Sequence, residues 1–117
     1  LIDALRESDR DAIAALMADD VEFHSPVADY RGREQVVHLL ATIAGVIDDI
    51  RTRRELGEGL ETVTFVEGEV AGRAVDGVLD EIRAEDGRIV ELTLMLRPLD
   101  ALMEGVKRMA AALTDTP

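Results

Sequence analysis

The stretch from Ile50 to Arg97 constrains the fold most. It reads as four extended segments: IRTRREL, LETVTFVEGEVAG, RAVDGVLDEIRA and RIVELTLML. They are cut apart by Gly57 and Gly59, by Gly72 and by Asp86-Gly87. Turn residues at such short intervals suit strands joined by tight hairpins, not parallel strands with helical crossovers. Before this run, YRGREQVVHLLATIAGVI predicts a helix starting near Gly32, with Val36, Leu39, Leu40, Ile43 and Ile47 as its apolar stripe. After it, Pro98 suits the first position of a last helix, striped by Leu99, Leu102, Val106, Met109 and Leu113. The tail from Thr114 to Pro117 is expected to fray.

The first residues fit the same plan. Ile2, Leu5, Ile13, Leu16 and Met17 predict helix in two pieces before residue 18, with Ser8 and Asp9 as N-cap candidates. Asp19-Asp20 reads as the end of the second piece. VEFHSPV, from Val21, reads as a short strand stopped by Pro26. Helices, one strand, a helix, four strands and a helix make an α+β chain with a mainly antiparallel sheet. At 117 residues it is expected to form a single domain over residues 1–117.

Composition excludes several functions. A net charge of −12 repels phosphate backbones and anionic lipid, so neither nucleic acid nor membrane is an expected partner. No apolar run approaches the roughly 20 residues of a membrane span. With no cysteine there are no disulfides and no thiolate chemistry, and a reducing cytoplasm is the expected location. Phe23, Phe65 and Tyr30 are all the aromatics, so the core must be aliphatic.

Asp80 is the residue that asks for a function. It shares a strand side with Val78 and Ile82, and the turn decides what faces it. A two-residue turn at Asp86-Gly87 puts Asp80 opposite Thr93 and Ile82 opposite Glu91. A three-residue loop, Glu85-Asp86-Gly87 with Gly87 at positive φ, puts Asp80 opposite Leu92 and Val78 opposite Leu94. The second register gathers Val78, Ile82, Val90, Leu92, Leu94 and Leu96 on one face, with Glu81, Arg83, Glu91 and Thr93 on the other. It is the expected register. Asp80 then enters an apolar face, either as the acid of a small-molecule pocket or, more plainly, as a residue near the sheet end or one paired with an arginine such as Arg97.

LMADDVEFHSPVADYRGREQV and DGRIVELTLMLRPL resemble the opening and closing strands of the nuclear transport factor two-like superfamily, in its SnoaL-like (polyketide-cyclase-like) branch. Ketosteroid isomerases are more distant members. The resemblance implies a curved antiparallel sheet wrapped by helices into a cone with an internal, largely apolar pocket. It also implies a homodimer paired through the outer sheet face. Of the three isomerase groups, the protonated acid maps onto Asp80. The base position, before a proline, maps onto Ser25, and the first-helix tyrosine maps near Leu1. One role in three is kept. The implied pocket wall is Phe23, Ser25, Tyr30, Val78, Ile82, Leu92, Leu94 and Leu96, with Asp80 as the candidate catalytic acid.

Other residues carry weaker signals. His24 points away from Ser25 by strand alternation, and bonding to backbone or Glu22 is favoured over a catalytic role. His38 reads as solvated. Two histidines without a close ligand cluster predict no metal, and no cofactor is expected. Tyr30 either covers the pocket mouth or packs on the helix start. Arg97 reads as an ion-pair partner of Asp76 or Glu69 before a ligand clamp. The expected function is therefore a pocket for a small apolar ligand, with isomerising or cyclising chemistry left open. A non-catalytic binding or dimeric structural module is the alternative.

Overall fold

The structure is a computed structural model that describes residues 1–114; of the tail expected to fray, Thr114 is instead the last residue of a helix, and residues 115–117 lie outside the described residues. Helix α1 (Ile2–Arg6) and α2 (Arg10–Leu16) form the expected two pieces, and the Asp9 side chain caps α2 by accepting from Ala12 N at 3.1 Å. Such a cap contributes about 1 kcal/mol. Strand β1 (Met17–His24) begins earlier than expected, so Asp19 and Asp20 lie inside a strand and do not end a helix. Strand β2 (Asp29–Arg31) was not anticipated; three residues after a turn are too few to show a period.

Helix α3 (Arg33–Val46) follows Gly32, whose φ of +99° suits glycine at this entry. Then come β3 (Asp48–Glu58), β4 (Glu61–Val70), β5 (Arg73–Arg83), β6 (Ile89–Arg97) and α4 (Leu99–Thr114). The sheet is open, in the order β2-β1-β6-β5-β4-β3. All neighbours are antiparallel except β1 and β6, which are parallel. Register shifts in the β1/β6, β3/β4 and β5/β6 pairs bend it. The helices pack on its concave side, where Ile13, Phe23, Leu40, Leu79 and Leu92 are at most 2% exposed. Each such side chain contributes about 1.5–3 kcal/mol by leaving water.

The β5/β6 hairpin corrects the expected register. Its loop is the anticipated one: Gly87 has φ +88°, and Ala84 N donates to Arg88 O at 2.9 Å. A bulge follows. Arg83 pairs with Ile89, but Ile82 pairs with Glu91, so Val90 has no partner of its own. One extra residue reverses the parity of β5 against β6. Asp80 therefore faces Thr93, and Val78 faces Met95, on the outer side of the sheet. Ile82 lies there too. The concave face receives Leu79 and Glu81 from β5 and Leu92, Leu94 and Leu96 from β6. The bulge allows Ile89 and Leu92, both fully buried, to point inward from one strand. Arg97 pairs with Asp76 at 3.4 Å, the plainer of its two readings. Leu99, expected on the apolar stripe of α4, is 71% exposed at its start.

Candidate functional site

The apolar stripe of α4 has little core to enter. Ala101 is its one buried residue, yet Leu102, Val106, Met109 and Leu113 all turn toward the body of the protein. Beneath them lies a cavity of about 230 Å³. Leu39, Ile43 and Ile47 close it on the α3 side, and Phe23, Leu94 and Leu96 form its floor on the sheet. A smaller void of about 40 Å³ adjoins it and shares Ile43, Ile47, Val75, Leu94 and Leu96 as walls.

Ser25 and Tyr30 bring the only polar side chains to this lining among the described residues. The Ser25 hydroxyl is committed to its own turn: it donates to Ala28 O at 2.7 Å and accepts from Ala28 N at 3.0 Å and Val27 N at 3.2 Å. With its proton engaged and no base beside it, Ser25 is neither shuttle nor nucleophile. Tyr30 stands opposite Phe23 across β1 and β2, ring centroids 6.4 Å apart. Its phenol is the one hydrogen-bonding side chain left for a guest.

Of the residues expected to form the pocket, Phe23, Ser25, Tyr30, Leu94 and Leu96 line the cavity. Leu92 is buried in the core beside it. Val78, Ile82 and Asp80 are on the other side of the sheet. Asp80 is thus not a pocket acid. Its Oδ1 is buried without a partner, and its neighbour is Glu61, one strand over. The Glu61 carboxyl titrates above its usual range because it shares a hydrogen bond with Asp80, feels the Asp80 charge, and is further raised by desolvation and by Glu91. An acid whose folded-state pKa is raised favours the fold when protonated, and that contribution is lost as pH rises through the folded value. Asp80→Asn removes one charge of the pair. The expected result is a melting temperature a few degrees higher at pH 7.5, with the gain shrinking toward pH 4.5. A loss at pH 7.5 would show instead that Asp80 has a cationic partner.

His24 sits on the outer face, as alternation predicts. Its Nδ1 is 2.9 Å from Asp29 Oδ1. That hydrogen bond, and the charges of Asp29, Glu91 and Glu22, raise its pKa against a smaller desolvation effect. Sequence reasoning missed two features. The α4 wall appeared only as a helix stripe, because its facing surface is far away in sequence. Glu81, assigned to the outside, is a buried carboxylate on the concave face; it is 3% exposed and borders a separate polar hollow with Arg83, Thr64, Glu55 and Asp3.

Residues 1–92 match the family model described as the SnoaL-like domain. The chain belongs to this family. Among solved structures, it resembles a bacterial protein with a cystatin-like fold from Silicibacter pomeroyi at a TM-score of 0.93 and 26% identity, covering 97% of this chain and 82% of that one. A steroid delta-isomerase from Pseudomonas aeruginosa gives a TM-score of 0.90 at 28% identity, with 96% and 85% covered. An NTF2-like protein from Cytophaga hutchinsonii, 15% identical, shares the fold with a TM-score of 0.74 over 86% and 87% of the two chains. No curated protein matches significantly. Within this SnoaL-like domain, Ser25 is held in its own turn and Asp80 lies on the outer side of the sheet.

Proposed function

We propose that this SnoaL-like domain binds one small apolar molecule in the cavity between α3, α4 and the concave sheet face. One observation carries the reading: an amphipathic helix lays its apolar stripe over a cavity whose lining is almost wholly apolar. Burying a guest there would complete the contacts that the α4 side chains lack. The size limits the guest. An engineered apolar cavity of about 150 Å³ holds benzene, so about 230 Å³ suits a one- or two-ring molecule or a short branched chain. Tyr30 would take its single polar group. With no carboxylate, imidazole or amine in the described lining, the reading is binding and not proton transfer by these side chains.

Gly105 gives the test. It borders the cavity in mid-α4, and a Cβ there would meet only Val70 Cγ1, at 3.9 Å. Leucine at this position would fill the space and favour the helix by about 1 kcal/mol. 1-Aminonaphthalene should bind the parent one to one, by fluorescence titration. Gly105→Leu should lose that binding while melting no lower than the parent. Equal binding by both proteins would refute the assignment.

The same reading includes a homodimer through the outer sheet face. Met95 is 63% and Leu56 55% exposed there, beside half-buried Val63, Phe65, Val78 and Ile82. Such an apolar strip with a charged rim suits a second copy. Sedimentation of micromolar protein showing only the 12.8 kDa species would refute it.

A further inference from the structure

We propose that Glu22, His24 and Glu91 form a binding site for a first-row divalent transition-metal ion on the outer face of the sheet, where β1 and β6 run side by side. The backbone makes the arrangement. Glu22 and His24 are two positions apart on one strand and share a face, and the parallel register sets Glu91 directly beside Glu22. One ligand atom from each of the three lies within 4.8 Å of the others, and no other such group occurs among the described residues.

The donor chemistry selects the ion. One imidazole nitrogen and two carboxylate oxygens suit Zn²⁺, Co²⁺ or Mn²⁺, with water in the open positions. His24 Nε2 lies 3.8 Å from Glu22 Oε2 and 3.9 Å from Glu91 Oε2. Ligands at about 2.0–2.1 Å from a tetrahedral ion are roughly 3.3 Å apart, so closing the site needs only a small turn of two flexible glutamates. The other ring nitrogen is held by Asp29, at 2.9 Å. A non-ligating carboxylate on Nδ1 is the partner that turns Nε2 toward a metal and makes it a better donor. Glu22 is oriented in the same way: Arg31 holds its Oε1 and leaves Oε2 toward His24.

The surroundings favour a cation. Two glutamates side by side on neighbouring strands repel. Asp80 and Glu61 continue the acidic row onto β5 and β4, and Asp80 Oδ1 is buried without a hydrogen-bond partner. On the strands around the cluster, Arg31 from β2 is the cation in contact, and it already pairs with Glu22. This site is independent of the cavity, which opens on the opposite side of the sheet.

The test uses the whole chain without a polyhistidine tag, after treatment with a chelator. Co²⁺ is titrated while its visible absorption is recorded, and Zn²⁺ is then added to displace it. The expected result is one equivalent of Co²⁺ per chain, released by Zn²⁺. Binding should weaken by at least about tenfold in His24→Ala, in Glu91→Gln and in Asp29→Ala. His38, which lies on α3 beside Arg10 at 3.4 Å, supplies the control: His38→Ala should bind like the parent. Circular dichroism establishes that each variant is folded, and Glu91→Gln keeps the side-chain shape if His24→Ala is not. No binding by the parent, undiminished binding by folded Glu91→Gln, or loss in His38→Ala would each overturn the proposal.

Discussion

Replacing Gly77 by alanine is expected to cost about 3 kcal/mol of stability, a large fraction of what holds a domain of this size. Gly77 sits in the middle of β5, between Val66 on β4 and Leu96 on β6. A Cβ added there would press into the Met95 carbonyl oxygen, well inside van der Waals contact, and would meet Leu96 Cδ2 at 2.8 Å. The leucine tip can rotate away, but the carbonyl is part of the β6 backbone, which is held in register against β5 at Val78–Met95, so it can yield only by shifting the strand. Alanine also restricts the unfolded chain, which returns about 0.4–1 kcal/mol; the steric term is larger. Gly45, in α3, has nothing within 4 Å of its added Cβ and serves as the control. Gly45→Ala should stabilise by about 1 kcal/mol. Urea melts give both values from the shift in midpoint at constant slope. Equal stability of Gly77→Ala and parent would show that β5 and β6 are not so close.

The same pair of strands marks the limit of what the sequence reveals. Long periodic elements were legible: α3 and its stripe, the strand run from residue 48 to 97, and the segregated α+β order. The inward row of β6, Leu92, Leu94 and Leu96, was legible too. Strand β5 was not, because both of its sides carry apolar residues: Val75 and Leu79 on one, Val78 and Ile82 on the other. Local alternation cannot rank two such faces. The bulge at Val90 ranks them, and it follows from burying Ile89 and Leu92 together, a demand set by the whole core. The site divides along the same line. Phe23, Ser25 and Tyr30 came from one contiguous segment and reached the cavity. The error at Asp80 came from parity. Glu22 and His24 were visible as neighbours, but Glu91 joins them only through the parallel β1/β6 pairing, which no local pattern announces.

Arg83→Met is the second change expected to have a large effect, again about 3 kcal/mol of destabilisation. Glu81 and Arg83 alternate on the concave face of β5, and the guanidinium donates from Nη2 to Glu81 Oε1 at 3.0 Å. The Glu81 side chain is 5% exposed, whereas that of Arg83 is 26% exposed and reaches toward water. Methionine keeps much of the arginine stem and removes its charge. The glutamate is then left nearly buried with its partner gone, and an unpaired buried charge is costly. The adjoining polar hollow, lined by Thr62 and Thr64 among others, lets some hydration reach the carboxylate and keeps the loss below the full penalty. Glu81→Gln should be milder, about 1 kcal/mol, because an amide loses the ion pair without stranding a charge. The double variant decides between the possible causes. If the cost of Arg83→Met is the stranded charge, then Glu81→Gln with Arg83→Met is more stable than Arg83→Met alone, and a double-mutant cycle gives a coupling energy above about 1 kcal/mol. If the losses simply add, the arginine acts through its packing, and the acid on the concave face is solvated by the hollow beside it.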